Sequence, residues 1–329
     1  MSKRMAATVA PSPLIISDTT LRDGAQMPGV HFSIDDKVAI AQALETAGVD
    51  VIEAGFPAGG AGEIEAVRQV AAATTRPLVM ALCRAVSADV DAAWQALGDT
   101  PAERRGVGVF LATSPLHRRH KLGKTKAQCL AMIASAVAYA RERFARVTFG
   151  CEDGSRTEPA FLREAYVAAM DAGATAIGFP DTVGVLTPET ARRRIAMLVR
   201  LAHPRGVKVR AHFHNDLGLA TANTLAAIAA GADIVHLTVG GIGERAGNAA
   251  LEETVMALTL HPGQYRRTIG VDTTRLTALC RLVAECAGYT LPPNKAVTGA
   301  NVFATAAGVH QDGLLKHPDT YLPFRPELV

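Results

Sequence analysis

The sequence predicts an α/β chain folded as a (β/α)8 TIM barrel with a small C-terminal α-rich subdomain. Three observations carry that expectation. Short β-rich apolar runs alternate with longer Ala-rich segments of helical period. Eight such pairs precede residue 260. No G-x-G-x-x-G follows the first run. Near-continuous apolar strands alternating with helices imply a parallel sheet covered by helices. Eight units without a dinucleotide fingerprint favour closure into a barrel over a doubly wound sheet.

In order, the strands are expected at "LIIS" (14–17), "VIEAGF" (51–56), "LVMALC" (78–83), "VGVFLA" (107–112), "VTFGC" (147–151), "TAIGF" (175–179), "VKVRAHF" (207–213) and "DIVHLTV" (233–239). Helices are expected near 35–47, 61–73, 88–97, 126–144, 159–172, 188–202, 217–230 and 248–259. Ser33 before "IDDK", Thr157 before "EPAF" and Thr187-Pro188-Glu189 read as helix starts. Gly48, Gly173 and Gly231 fall where three helices should end. The pattern breaks after 260: "HPGQYRRTIGVDTTRL" reads as a connector, 275–288 as a helix, and 289–329 as irregular chain rich in Pro and Gly. The expected division is a disordered lead-in over 1–13, a catalytic barrel over 14–264 and an extension over 265–329. The chain ends at "YLPFRPELV" without an evident stop, as a truncated one would.

Composition excludes several classes. With 49% hydrophobic residues in 329, the chain has ample core material. A net charge of +3 is too small to argue for nucleic acid or a membrane surface. No apolar run approaches the roughly 18 to 20 residues of a membrane helix. The basic start "MSKRMAATVAPSP" has no hydrophobic segment of a signal peptide. Five scattered cysteines, none in a C-x-x-C pair, fit reduced thiols and a cytoplasmic location.

Active sites of such barrels lie at the C-terminal ends of the strands. Reading those positions gives Asp18, Arg22, Asp23 and Gln26 after strand 1, Glu53 on strand 2, Arg84 after strand 3 and the loop "TSPLHRRHKLGKT" after strand 4. Strand 5 offers Glu152 and Asp153, strand 6 Asp181 and Thr182, strand 7 His212 and His214, strand 8 Glu244 and Asn248. A barrel built only for stability has no need of such a gathering. Strand side chains alternate, so His212 and His214 share one side with Phe213 opposite. Strands 7 and 1 are near neighbours in a closed barrel, which brings Asp23 within reach. Two imidazoles and a carboxylate suit a facial site for one divalent cation, leaving about three positions for a chelating substrate and water.

Plainer readings stand beside these. A histidine at a strand end is commonly a hydrogen-bonded packing residue. Arg22 is equally consistent with an ordinary salt-bridge partner of Asp18 or Asp23, and Glu152 with a structural pair. Cys151 reads as an inert core thiol. "HRRHK" (117–121) reads as a solvated loop whose charge would also suit an anionic ligand. Turns alone explain the glycines of "PAGGAGE" (57–63).

At "DTTLRDGAQ" (18–26), "HFHNDLGLATANTLAAIAAGA" (212–232) and "GIGERAGNAALEE" (241–253) the sequence resembles the DRE-TIM metallolyases. Within them it is similar to the Claisen-condensing branch of homocitrate synthase and 2-isopropylmalate synthase, nearest to nitrogen-fixation-type homocitrate synthases. "AGVHQDGLLKHPDTY" (307–321) resembles the small subdomain of that branch. The resemblance implies that Asp23, His212 and His214 hold a divalent metal ion (Mg, Mn, Co or Zn). It implies that Arg22 steadies developing negative charge, that Gln26 and Thr182 line the oxo-acid site, and that Glu152 is an active-site acid. Glu244 and Asn248 then lie near the metal and the acetyl-CoA thioester. His310 and Tyr321 match residues that reach the other protomer's site, so a domain-exchanged homodimer is implied. Where the family has Glu and Asn-Gly, this chain has Ala25 and Gly240-Gly241. At the strand-5 position where lysine-pathway homocitrate synthases carry an arginine, it has Thr148. That leaves Arg84 and the "HRRHK" loop as candidate anion holders.

The implied reaction joins acetyl-CoA to a 2-oxo acid and releases CoA, with 2-oxoglutarate the first choice. Phosphonopyruvate, 2-oxoisovalerate, pyruvate and oxaloacetate are alternatives. A lyase or aldolase of the same superfamily, or a non-enzymatic barrel that keeps a metal, are rival readings.

Overall fold

The computed structural model describes residues 11–329. Eight strands form the barrel: β1 (Ile15–Asp18), β2 (Val51–Gly55), β3 (Leu78–Arg84), β4 (Arg105–Ala112), β5 (Arg146–Glu152), β6 (Ala176–Asp181), β7 (Lys208–Phe213) and β8 (Ile234–Leu237). Each pairs in parallel with the next, and β1 closes on β8 with Ile15 opposite Ile234 and Asp18 opposite Leu237. The helices that follow them are α1 (Ile34–Thr46), α2 (Ala61–Ala73), α3 (Ser87–Leu97), α4 (Lys126–Arg141), α5 (Pro159–Asp171), α6 (Pro188–Ala202), α7 (Ala220–Ala229) and α8 (Leu251–Leu260).

The expected alternation is plain on β7. Val209, Ala211 and Phe213 are buried in the apolar layer beneath the helices, whereas Arg210 and His212 line the barrel cavity. Period two in the strand therefore divides packing from chemistry.

The helix signals act as their chemistry dictates at Ser33 and at three glycines, while Thr187 holds the cap position of α6 without a side-chain cap bond. Ser33 accepts from the Asp36 amide at 3.1 Å and its own amide donates to the Asp36 carboxylate at 2.9 Å, a reciprocal cap on α1. Gly48, Gly173 and Gly231 have φ of 91°, 100° and 103°, the left-handed conformation that ends a helix. Thr157 does not cap α5. A 3-10 turn, Gly154–Arg156, intervenes, and the Thr157 hydroxyl donates to the Asp153 carbonyl at 2.9 Å. Glu158 takes the cap position ahead of Pro159.

Of the expected lead-in, residues 1–10 lie outside the described ones. Ser12–Pro13 are ordered and pair in parallel with Arg267–Thr268. A ninth helix, α9 (Leu276–Cys286), packs against α1 through buried Leu276, Leu279, Cys280 and Val283. The segment read as irregular beyond 289 contains a further helix, α10 (Gly308–Lys316), none of whose residues is buried. Two glycines and the absence of a side-chain cap hide it from a periodicity reading. Among the described residues, no helix is long and apolar enough to cross a membrane. All five cysteines are free thiols.

Candidate active site

Strand β1 ends on Asp18, whose two oxygens accept from the Thr20 amide at 2.8 Å and the Thr20 hydroxyl at 2.9 Å. Burial pushes the Asp18 carboxyl up to about 7 in spite of those bonds. The chain then turns so that Arg22 and Asp23 face the barrel mouth. Arg22 donates through Nε to Glu53 at 2.6 Å and through Nη1 to Asp23 at 2.5 Å. Burial works against its charge, but the Glu53 and Asp23 carboxylates outweigh burial and raise its affinity for the proton. Burial likewise opposes the charge on Asp23. The Arg22 guanidinium and the two imidazoles reverse that and hold the carboxyl well below the usual range. Its other oxygen accepts from the Asn248 amide group at 2.8 Å.

Strand β7 brings in the histidines. His212 and His214 turn their Nε2 atoms toward each other at 3.2 Å, and these lie 3.6 and 3.8 Å from one oxygen of Asp23. One ligand atom from each of the three residues falls within 4.8 Å of the others. Burial, and for His212 also its neighbour His214, pushes both imidazoles down toward the neutral form. Both Nδ1 atoms are buried without a partner. Two imidazoles and an ionised carboxylate thus gather ligand atoms around one point, a donor set that suits a divalent cation. The donor set fits such an ion. Gly243 is required beside it: a Cβ there would lie 2.1 Å from Asn248 Nδ2 and 2.8 Å from Asp23.

The sequence-expected residues divide into two groups. Arg22, Asp23, Gln26, Glu152, Thr182, His212, His214 and Glu244 line one cavity at the C-terminal end of the barrel, and Asn248 backs it through Asp23. Glu152 is not free there, since Lys121 donates to it at 2.6 Å and His117 stands 3.7 Å away. Lys121 is the member of the "HRRHK" loop that lines the cavity, while Arg118 turns to Glu158 at 2.9 Å. Arg84 does not reach the cavity. Asp89 holds its guanidinium through two bonds of 2.8 Å, because Asp89 opens α3 directly behind the end of β3. His310 and Tyr321 also lie outside it, stacked on each other with ring centroids 4.1 Å apart in the exposed C-terminal segment. Cys151 is fully buried and its thiol is pushed up to about 12, as an inert core residue should be.

Two cavity residues escaped the sequence reading. Arg210 and His236 line the same space as the histidines, from β7 and β8. The period-two rule that picked out His212 and His214 points equally to Arg210, two residues earlier, but a basic residue inside a strand drew no attention.

Residues 13–283 match the HMGL-like family model. The chain belongs to the HMGL-like family, the DRE-TIM group whose motifs it carries. It is 48% identical over 307 residues to a 2-isopropylmalate synthase of Pyrococcus furiosus, covering 93% of this chain and 61% of the relative. It is 49% identical to a 2-isopropylmalate synthase of Streptococcus gallolyticus, covering 95% of this chain and 60% of that one. The chain therefore spans about three-fifths of the length of these relatives. Their names fit the condensing branch and do not support special nearness to nitrogen-fixation-type homocitrate synthases. Among solved structures, a hydroxymethylglutaryl-CoA lyase of Pseudomonas aeruginosa shares the fold with a TM-score of 0.73 at 22% identity. That likeness covers 90% of this chain and 99% of the lyase.

Proposed function

We propose that the chain catalyses condensation of acetyl-CoA with a 2-oxo acid, releasing free CoA. The observation that carries this reading is the convergence of Asp23, His212 and His214 at the barrel mouth with Arg22 locked beside them. The high identity to 2-isopropylmalate synthases supports the same class.

In this reading Asp23, His212 and His214 hold a divalent cation. When bound, the ion supplies a Lewis acid that polarises a substrate carbonyl. Arg22 supplies fixed positive charge next to it. With Nε on Glu53 and Nη1 on Asp23, it keeps Nη2 for the oxygen on which charge develops. A base removes a proton from the acetyl methyl group, and that carbon bonds to C2 of the oxo acid. The former keto oxygen takes up a proton and becomes a hydroxyl. Water then adds to the thioester carbonyl, CoA leaves as a thiol, and a carboxylate remains.

We assign the base to His310 with Tyr321, delivered from a second copy by the extension over 265–329. Their separation from the cavity within one chain supports delivery from elsewhere, as does α10, which buries nothing while Val309 and Leu315 are 76% and 89% exposed. Glu152 then orients, since Lys121 already occupies it.

The relatives' name favours 2-oxoisovalerate over 2-oxoglutarate as the oxo acid, because 2-isopropylmalate retains an isopropyl group. Thiol release from acetyl-CoA, measured with each oxo acid and with and without added divalent metal, tests the proposal. Release that requires both components supports it. A metal-loaded protein that frees no thiol with any oxo acid sinks it.

A further inference from the structure

Arg210 is the one strongly basic cavity residue that the mechanism leaves unused. It projects inward from β7, two residues below His212, and its side chain is buried. Nη1 donates to the Thr148 hydroxyl at 3.0 Å. Nε is buried without a hydrogen-bond partner, and Arg210 forms no ion pair among the described residues, although the Glu53 carboxylate, already bound to Arg22, acts on its charge from beyond ion-pair distance. The other cations at this site are matched: Arg22 by Glu53 and Asp23, Lys121 by Glu152. The barrel also makes room for this guanidinium. A Cβ at Gly178 would lie 2.8 Å from its Nε and Nη2, and one at Gly150 would lie 3.7 Å from Nη2. The adjacent strand β6 and the next one, β5, thus carry no side chain where Arg210 lies.

We propose that Arg210 is the specificity-determining residue for the oxo acid and that the preferred substrate carries a second anionic group, a distal carboxylate or phosphonate, which ion-pairs with it. This rests on the condensation reading above, and it departs from the oxo acid that the relatives' name favours because of the surroundings of Arg210 in this chain. Residues two apart on a strand are separated by roughly 6.5 Å along it. A small oxo acid held at the level of His212 and His214 therefore reaches toward Arg210 with the end remote from its keto group. An isopropyl group there would seal off an unpaired charge, which is unfavourable. A carboxylate or phosphonate pairs with it through two donors.

The test uses the full chain loaded with a divalent metal. Calorimetric binding and thiol release are measured for 2-oxoglutarate, oxaloacetate, phosphonopyruvate, 2-oxoisovalerate and pyruvate. The expected result is that at least one of the three anion-bearing acids exceeds 2-oxoisovalerate by tenfold or more in kcat/KM, as one charge-assisted pair warrants. Arg210→Leu should raise KM for that acid about a hundredfold with a smaller change in kcat, and leave 2-oxoisovalerate equal or improved. Arg210→Lys should restore part of the loss, and Thr148→Val should weaken binding of the same acid alone. Wild-type preference for 2-oxoisovalerate over all three anion-bearing acids, with brisk thiol release, overturns the role of Arg210 and leaves the condensation standing. If no acid yields thiol, the condensation falls. Binding then decides for Arg210: loss of the anion-bearing acids in Arg210→Leu upholds it, and unchanged binding overturns it.

Discussion

The barrel mouth and the C-terminal segment both carry residues expected to do chemistry, yet the structure treats them in opposite ways. At the mouth, Arg22, Asp23, Glu53, His212, His214 and Asn248 are buried or nearly so and locked to one another at 2.5 to 3.8 Å. In the segment, His310 and Tyr321 stack on each other and remain exposed, His310 on a helix that buries none of its own residues. The mouth is preorganised within one chain, since eight strands impose its geometry. The described residues give the His310–Tyr321 pair no such frame. On the proposed reading, the site divides into a fixed electrostatic half at the mouth and an acid–base half carried on the C-terminal segment.

The largest expected break comes from the fixed half. His214→Ala should remove metal and lower thiol release by on the order of a thousandfold or more, checked by elemental analysis beside the turnover assay. Arg22→Ala should lower the melting temperature yet leave the chain folded and able to bind metal, and reduce turnover roughly a hundredfold or more, about 3 to 4 kcal/mol in the barrier. Near-normal turnover in that variant would remove Arg22 from the reaction.

The comparison sharpens with variants in the other half. His310→Ala should lower kcat by on the order of a hundredfold. If the tail serves a second subunit, mixing His310→Ala with Asp23→Asn should regain about a quarter of the wild-type rate, because mixed dimers hold one intact site. No recovery after unfolding and co-refolding would place both halves in the same chain.

A smaller effect concerns stability at the mouth. Burial pushes the Asp18 carboxyl up to about 7 in the folded chain, from an ordinary value of 3.8. Between those values the folded chain binds a proton that the unfolded chain has lost, so stability falls as pH rises through that window. Denaturant titrations at pH 5 and pH 7 should show this decline, and Asp18→Asn should flatten it. An identical slope in the variant would assign the pH dependence to other groups.

Much of this was legible in the sequence because the relevant signals are local. Strand and helix periods, Gly48, Gly173 and Gly231 at the helix ends, and the His212–His214 spacing each depend on a few adjacent residues. Once eight units are counted, closure follows, and with it the approach of Asp23 to β7. What the sequence did not reveal depends on where side chains from distant strands end. Arg84 reads as available in the sequence, yet Asp89 holds it; the sequence does not mark the space Arg210 needs, and only the fold brings Gly150 and Gly178 beside it to clear that space.

By itself, then, the sequence determined the barrel, its ring of polar residues and the three groups that converge at one point, since periodicity and strand order are properties of the chain. Only the tertiary structure decided which positive charges are neutralised and which remain bare inside the cavity. That choice depends on distances of a few ångströms between residues tens of positions apart, which no local pattern encodes.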